Sequence, residues 1–252
     1  MFLETKQAFQ ANFVQKRCNF IVSSQINLLS FAHLSCKQDN INYRYMIDRK
    51  NLIFDLGGVL LDIFPPATAE ALAALGVSKE LITDGLTLEN PLLHSMECGD
   101  STPKELYTAI AASMGKELTP QLAEEIRSAW CALLGTTPAW KLAQLRALRE
   151  KGYRIILLSN TNAIHWEEVT KIVADSEGIQ LEEYFDGVYL SFEMHCRKPD
   201  TKIFSRLLDA EGIAAEEAAF FDDSAENCDA AASLGIEAHL MPRNGEWPDL
   251  LK

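Results

Sequence analysis

The stretch that most constrains the fold runs from Asn51 to Asp62 and reads NLIFDLGGVLLD. Its apolar start, residues 51–54, is typical of a strand that is buried on both faces of a parallel sheet. Asp55 follows directly, before two glycines that let the backbone approach a ligand closely. Ligands of open α/β sheets bind beyond the carboxyl ends of the strands. The stretch therefore predicts a parallel sheet with Asp55 at its functional edge, the alternative being a solvated Asp in an ordinary turn.

Beyond Pro138, short apolar runs alternate with segments of helical pattern. The predicted strands are 154–158, 187–191, 218–221 and 236–240, and the predicted helices are 140–150, 163–174, 200–210 and 225–234. Strands separated by helices at this spacing form βαβ units with right-handed crossovers. The sequence therefore predicts an α/β fold, a Rossmann-like parallel sheet flanked by helices.

The segment between the first strand and Pro138 has a different pattern, with no strand signal. Pro65-Pro66 is expected to interrupt regular structure. Four helices are then predicted, beginning near Ala67, Ser78, Pro103 and Pro120. We therefore expect residues 65–135 to form a small α-helical cap inserted after the first strand, with 46–64 and 136–252 as the core domain.

Residues 1–45 differ from the rest in charge, with five Lys and Arg residues and two acids. Their apolar run, residues 20–34, is too short and too often interrupted by polar residues for a membrane span. Met46 lies just before the first strand. We expect 1–45 to be a disordered or artefactual leader, with an export signal or a docking element as the alternatives.

The composition limits the partners of this chain. A net charge of −13 over 252 residues argues against a nucleic-acid binder, which needs a basic face to neutralise phosphates. The six cysteines are scattered, which favours reduced thiols in the cytoplasm over a disulfide framework or a zinc site. We therefore expect a cytoplasmic monomer or homodimer that acts on a small molecule, without nucleic-acid or membrane partners.

Four groups of polar residues fall at the ends of predicted strands, and hence at one edge of the sheet. They are Asp55, Ser159 with Asn160, Lys198, and Asp222 with Asp223. Each alone could be a helix cap or a solvated loop residue. Together they fit a single chemistry, in which a carboxylate attacks a phosphoryl group while a hard cation such as Mg²⁺ offsets the repulsion among the acids.

The motifs around these residues resemble those of the haloacid dehalogenase-like hydrolases, whose members are mostly phosphatases. The resemblance rests on FDLGGV at 54–59, LLSNT at 157–161, RKPD at 197–200 and FFDDS at 220–224, which appear in the family's order. It covers about residues 50–240. Within the family, the chain looks most like the branch of bacterial α-glucose-1-phosphatase and the phosphatase domain of soluble epoxide hydrolases.

This resemblance implies a Mg²⁺-dependent phosphatase that acts on a small phosphate ester, such as a sugar phosphate, through an aspartyl-phosphate intermediate. Asp55 would be the nucleophile. Lys198 would orient and neutralise the phosphoryl group as the second catalytic residue, and Ser159 and Asn160 would bind the phosphate. A metal-independent dehalogenase and a catalytically silent binding module on the same fold remain the alternatives.

The metal ligands that the resemblance implies are Asp55, Asp223, the backbone carbonyl of Gly57, and Asp222 through water or as a neighbour of the direct ligands. The family's usual pattern has a second Asp where Gly57 stands, which protonates the leaving group. Its loss predicts a substrate with a good leaving group, or a proton supplied by Asp62 or by water.

Substrate specificity is expected to come from polar residues near the predicted catalytic edge. These are His94, Glu97, Gly99 and Asp100 in a cap loop, and His165 with Trp166 after the Ser159-Asn160 motif. Helix capping, packing or solvation is the alternative explanation for each of them.

Overall fold

The computed structural model describes residues 49–78, 82 and 91–247. The predicted leader, residues 1–45, and most of the helix predicted near Ser78 lie outside the described residues. Within them, parallel strands form a sheet in the order β3-β2-β1-β4-β5. The strands are β1 (Asn51–Phe54), β2 (Arg154–Ser159), β3 (Gly187–Leu190), β4 (Ala218–Asp222) and β5 (Glu237–Leu240).

Helices precede or follow every strand. Those between β1 and β2 are α1 (Pro65–Leu75), α2 (Pro91–Glu97), α3 (Pro103–Ser113), α4 (Pro120–Cys131) and α5 (Ala139–Glu150), and those beyond β2 are α6 (Ala163–Glu177), α7 (Ser191–Met194), α8 (Thr201–Glu211) and α9 (Ala225–Ser233). In the described part of the chain, no helix combines the length and the apolar composition needed to cross a bilayer.

The apolar runs of the strands supply both faces of the sheet. Leu52 and Phe54 pack with α5 and α6 on one face, whereas Ile53 packs with α8 and α9 on the other. All three side chains are fully buried. Successive strand residues point to opposite faces, so a sheet covered by helices on both sides requires apolar residues at every position. The predicted fold class is confirmed.

Helices α1 to α4 pack around an apolar cluster of their own, which includes Leu72, Leu106, Ile126 and Trp130. We call residues 65–132 the helical insert. The domain limits predicted from the sequence remain a prediction, but a helical insertion after β1 is what the structure has.

The insert joins the sheet through two paired segments, residues 61–64 and 133–136, which we call the linker ribbon. Phe64 N donates to Leu133 O at 2.7 Å, and Gly135 N donates to Asp62 O at 2.8 Å. A Cβ at position 135 would lie 2.7 Å from Asp62 O. The close pairing of the ribbon therefore depends on glycine.

Asn244 fastens the ribbon to the loop that follows β1. Its side-chain amide accepts from Ile63 N at 2.9 Å and donates to Ile63 O at 2.8 Å. Its own backbone N donates to Gly58 O at 2.8 Å. One residue near the end of the described chain thus ties the ribbon to the predicted catalytic edge.

Two local expectations about the insert were wrong. Pro65-Pro66 does not interrupt regular structure but begins α1, because proline lacks only an N–H that the first helical turn leaves unpaired anyway. The loop expected around His94 contains α2, which again begins at a proline, Pro91. A helix of seven residues has too few periodic positions to be recognised from its pattern.

Candidate active site

The residues predicted to meet at one edge of the sheet do so. Asp55 follows β1, and Ser159 and Asp222 are the last residues of β2 and β4, which flank β1. The backbone N–H of Asp55 donates to Phe221 O at 2.9 Å and continues the pairing of the strands by one residue. Parallel pairing in register therefore brings the three side chains to one place.

Lys198 enters this edge from the loop before α8, and its side chain is 1% exposed. Its Nζ donates to Asp55 Oδ1 at 2.7 Å, to Asp222 Oδ2 at 2.6 Å and to the backbone carbonyl of Leu158 at 3.0 Å. Burial alone would lower the pKa of Lys198, but Asp55 and Asp222 outweigh it and raise the pKa. Lys198 is therefore a buried ammonium whose three N–H groups are all used.

Asn160 holds the backbone of Lys198 in place. Its Oδ1 accepts from Lys198 N and its Nδ2 donates to Lys198 O, both at 2.9 Å. The predicted contact of Asn160 with a substrate phosphate stays a prediction, and it has to coexist with these two bonds. Asn160 thus has a positioning task that its place after a strand did not indicate.

Asp222 is completely buried and held from several sides. Besides Lys198, it accepts hydrogen bonds from Ser224 N at 2.8 Å and from Asn227 Nδ2 at 3.0 and 3.1 Å. The indirect role in metal binding expected for Asp222 stays a prediction, and it has to coexist with these hydrogen bonds. Asn227 was missed in the sequence, although a polar residue in the first turn of a helix that follows an acidic strand end is a usable signal.

Asp223 lies beside the second glycine of the β1 loop. A Cβ at Gly58 would collide with Asp223 Oδ2 and lie 2.9 Å from Asp223 Cγ, and Gly58 has φ of +82°. Arg243 Nε pairs with the same carboxylate, a partner from the far end of the chain that no local pattern indicated. At Gly57, in contrast, a Cβ would make only an ordinary contact, 3.5 Å from Ile63 Cδ1.

Asp55, Asp222 and Asp223 each present a carboxylate oxygen, and these oxygens lie within 4.8 Å of one another. Burial raises the pKa of Asp55 above its usual range, Lys198 opposes this shift, and the two other carboxylates add to it. An all-oxygen donor set with excess negative charge fits a hard divalent cation such as Mg²⁺. The residues present are therefore suited to the metal that the sequence predicted.

A cavity of about 490 Å³ opens between the sheet edge and the helical insert. Its lining includes Gly57, Ser159 and Asn160 from the edge and Leu93, Met96 and Glu97 from α2. The cavity is large enough for a small organic molecule.

Helix α2 and the turn after it contact the loop that leads to Lys198. Glu97 Oε2 lies 3.0 Å from Arg197 Nε, and burial raises the pKa of Glu97 while Arg197 opposes the shift. A Cβ at Gly99 would collide with the backbone carbonyl of Phe192, and His195 Nδ1 donates to Cys98 O at 3.0 Å. The insert is thereby fixed to the backbone next to Lys198.

Of the insert residues suggested for specificity, Glu97 lines the cavity, whereas His94, Gly99 and Asp100 are absent from its described lining. His165 lines it, and Trp166 packs against the apolar core. Asp62 is not an isolated, solvated acid, because it forms an ion pair with the buried Lys141. The distance from Lys141 Nζ to Asp62 Oδ1 is 3.2 Å. Its suggested role as proton donor stays a prediction.

His165 connects α6 to the insert as a neutral imidazole. Its Nε2 donates to Trp130 O at 3.1 Å, and its Nδ1 lies 3.2 Å from Asn162 Nδ2, which donates. Burial lowers the pKa of His165 to about 4, although the Trp130 carbonyl opposes the shift. Protonation would place a second N–H against a donor, so the geometry requires the neutral form.

This histidine makes stability depend on pH. The unfolded chain protonates His165 below pH 6.5, whereas the folded chain does so only near pH 4. The free energy of unfolding should therefore fall as the pH is lowered from 6.5 to 4, by at most about 3 kcal/mol from this residue. Denaturant titrations across this range measure the slope, which should be smaller in His165→Gln. An equal dependence of the free energy of unfolding on pH in the wild type and in His165→Gln would contradict the neutral, buried form assigned to His165.

Comparison with known proteins places this geometry among hydrolases. The family model described as haloacid dehalogenase-like hydrolase matches residues 50–235. D-ribitol-5-phosphate phosphatase of Bacteroides thetaiotaomicron is 30% identical over 199 residues, which cover 79% of this chain and 94% of that protein. A sesquiterpene phosphatase of Aspergillus oryzae is 24% identical over 187 residues, covering 74% and 87%.

A solved structure of a haloacid dehalogenase family enzyme from Bacteroides thetaiotaomicron, in complex with magnesium and inorganic phosphate, is similar as well. It superimposes with a TM-score of 0.74 at 36% identity, and the match covers 81% of this chain and 100% of that one. The match therefore spans about four fifths of this chain and the whole of that enzyme.

Proposed function

Since the chain belongs to the haloacid dehalogenase-like hydrolases, we propose that it is a Mg²⁺-dependent phosphatase that acts on a small phosphate monoester through an aspartyl-phosphate intermediate. The observation that carries the proposal is the buried contact of Lys198 with Asp55 and Asp222, beside a third carboxylate, Asp223. A cation and a nucleophilic carboxylate are what transfer of a phosphoryl group needs.

In the first step, an oxygen of Asp55 attacks phosphorus and the bond to the leaving oxygen breaks, which leaves the phosphoryl group on Asp55. In the second step, water attacks the same phosphorus and the bond to Asp55 breaks, which releases inorganic phosphate. Lys198 favours the ionised form of Asp55, and the predicted contacts of Ser159 and Asn160 hold the phosphoryl oxygens. Mg²⁺ held by Asp55, Asp223, the Gly57 carbonyl and, through water, Asp222 would offset the charge on these oxygens.

The proposal is tested by measuring phosphate release from a panel of phosphate monoesters with Mg²⁺ and with EDTA. We expect release that depends on Mg²⁺ and is lost on chelation. Release of halide from 2-haloacids without metal would favour the dehalogenase alternative. If the folded protein binds Mg²⁺ and turns over neither class of substrate, the silent binding module becomes the better explanation.

The missing proton donor at Gly57 gives a second test, because the structure has room for a side chain there. Gly57→Asp should raise kcat at least about tenfold for esters with poor leaving groups and change it little for 4-nitrophenyl phosphate, whose leaving group needs no proton. Gly57→Asn is the matched control without an ionisable group. Equal effects of Gly57→Asp and Gly57→Asn on kcat would contradict the proposal that a proton donor is missing at this position. A loss in Asp62→Asn confined to poor leaving groups would assign the native donor to Asp62.

The names of the relatives point to different organic groups. One relative is a D-ribitol-5-phosphate phosphatase, and the name of the other refers to a sesquiterpene. The first supports the sugar phosphate suggested by the sequence, and the second supports a hydrocarbon group. The side chains that line the cavity provide the evidence for choosing between a sugar group and a hydrocarbon group. Cytoplasmic location and a monomeric or dimeric state remain predictions.

A further inference from the structure

The cavity beside the catalytic edge has mostly apolar walls. Of the twenty-one lining residues that belong to the described part of the chain, thirteen are aliphatic, aromatic, proline or methionine residues. Leu93 and Met96 come from α2, Ile63 and Leu134 from the linker ribbon, and Trp130 from α4. Apolar side chains from three separate elements thus converge on the space that the organic group of a substrate would occupy.

Several polar side chains in the lining are engaged with the protein. Thr68 Oγ1 donates to Trp130 O at 3.1 Å and accepts from Leu133 N at 3.1 Å. Asn162 Oδ1 caps α6 by accepting from the N–H groups of Ile164 and His165. These hydroxyl and amide groups complete the backbone pairing of the cavity wall and are not free partners for a ligand.

The same holds for the larger polar groups of the lining. Both ring nitrogens of His165 have protein partners, both atoms of the Asn160 amide bond to the backbone of Lys198, and Glu97 is paired with Arg197. Ser159 belongs to the predicted phosphate site. Among the described lining residues, Trp130 Nε1 and Glu97 Oε2 are buried atoms without a hydrogen-bond partner, although Glu97 Oε2 lies 3.0 Å from Arg197 Nε in the ion pair.

We infer that the substrate carries a predominantly apolar organic group, an alkyl, prenyl or aryl group with at most one or two hydrogen-bonding atoms, rather than a polyhydroxylated chain. The inference rests on the proposed phosphatase function and names its substrate class. Each hydroxyl that enters these walls gives up hydrogen bonds to water without replacement, which disfavours it by about tenfold. Each methylene that enters is favoured by removal from water.

The decisive measurement is a homologous series of n-alkyl phosphates, from methyl to hexyl, with the full chain and Mg²⁺. Their leaving alcohols are similarly basic, so differences in kcat/KM report the binding of the chain. We expect kcat/KM to rise about fourfold for each added methylene until the cavity is filled, the factor that corresponds to burial of a CH₂ group.

A pair of substrates with equal numbers of carbon atoms isolates the hydroxyls. n-Pentyl phosphate should exceed D-ribitol 5-phosphate in kcat/KM by at least about 100-fold, because four hydroxyls separate them and the walls leave few partners. A preference for the ribitol ester, or a flat alkyl series, would overturn the inference. In that case Mg²⁺-dependent hydrolysis of 4-nitrophenyl phosphate would still support the phosphatase, whereas inactivity towards every ester would remove both proposals.

Two neighbouring residues on α2 provide matched variants. Leu93 lines the cavity, whereas Leu92, which is also half-buried, is absent from the described lining. Leu93→Asn should lower kcat/KM more for n-pentyl than for methyl phosphate, and Leu92→Asn should leave this ratio unchanged. Binding of n-pentylphosphonate, which cannot be hydrolysed, should weaken in Leu93→Asn alone. Equal behaviour of the two variants would contradict the placement of the alkyl chain.

Discussion

Asp55→Asn is expected to abolish phosphate release, with kcat reduced by about 10⁴-fold or more, because the amide of Asn cannot replace a carboxylate as the nucleophile. The side chain keeps its shape and can still accept from Lys198. Loss of one negative charge also relieves the repulsion from Asp222 and Asp223. The melting temperature should therefore stay within a few degrees of the original value or rise, as scanning calorimetry would measure.

The control for this variant is Asp209→Asn, which makes the same chemical change at an exposed position of α8. It should retain full activity. Retention of more than about 1% of kcat in a purified Asp55→Asn protein would contradict the proposed nucleophile. Trapping of a phosphorylated protein at low pH, present in the wild type and absent in Asp55→Asn, would identify the intermediate directly.

Lys198→Met should remove activity and also destabilise the protein by about 3–5 kcal/mol at neutral pH, since two buried carboxylates would lose their shared cation. Met matches the length of Lys but donates no hydrogen bond to Asp55, Asp222 or Leu158 O. In the wild type, burial already raises the pKa of Asp55 to about 7 although Lys198 opposes the shift, and loss of the ammonium would raise this pKa further. The deficit relative to the wild type should therefore shrink as the pH is lowered from about 9 to 7 and stay nearly constant below pH 7.

Denaturant titrations of both proteins at about pH 9 and pH 7 would measure how this deficit changes. Lys202→Met, four residues further along and exposed, should change the free energy of unfolding by less than about 0.5 kcal/mol. Added Mg²⁺ should restore more stability to Lys198→Met than to the wild type, because a cation at the carboxylates then has no competitor. A deficit independent of both pH and Mg²⁺ would show that Lys198 acts by packing alone.

The sequence predicted that the polar side chains of the candidate site share one edge of the sheet, because the rule behind that prediction is topological. Parallel strands that are buried on both faces are recognisable in a sequence as apolar runs. The residues that directly follow such strands lie at the same edge of the sheet. This rule alone places Asp55, Ser159 and Asp222 together. Lys198 was grouped with them because it lies near the end of a predicted strand, although in the structure it comes from the loop before α8.

The partners of these residues could not be predicted, because they come from distant parts of the chain. Arg243 reaches Asp223 from beyond β5, and Asn244 reaches the linker ribbon across 181 positions. The two hydrogen bonds between the Asn160 side chain and the backbone of Lys198 depend on the path of a loop, which no local sequence pattern encodes. Local sequence patterns identify the polar residues at the sheet edge, and only the folded chain shows which distant residues orient them.

The linker ribbon has a consequence for how such a protein can diversify. Both ends of the helical insert leave the sheet side by side, and the pairing of Asp62 with Gly135 closes the gap between them. The core would therefore keep its strand register if the insert were exchanged, lengthened or cut back to a hairpin. Selection can therefore change the insert while keeping the strand register that brings Asp55, Ser159 and Asp222 together, provided that the contacts of α2 with the loop before Lys198 are kept. A chimera between two relatives is best joined inside this ribbon.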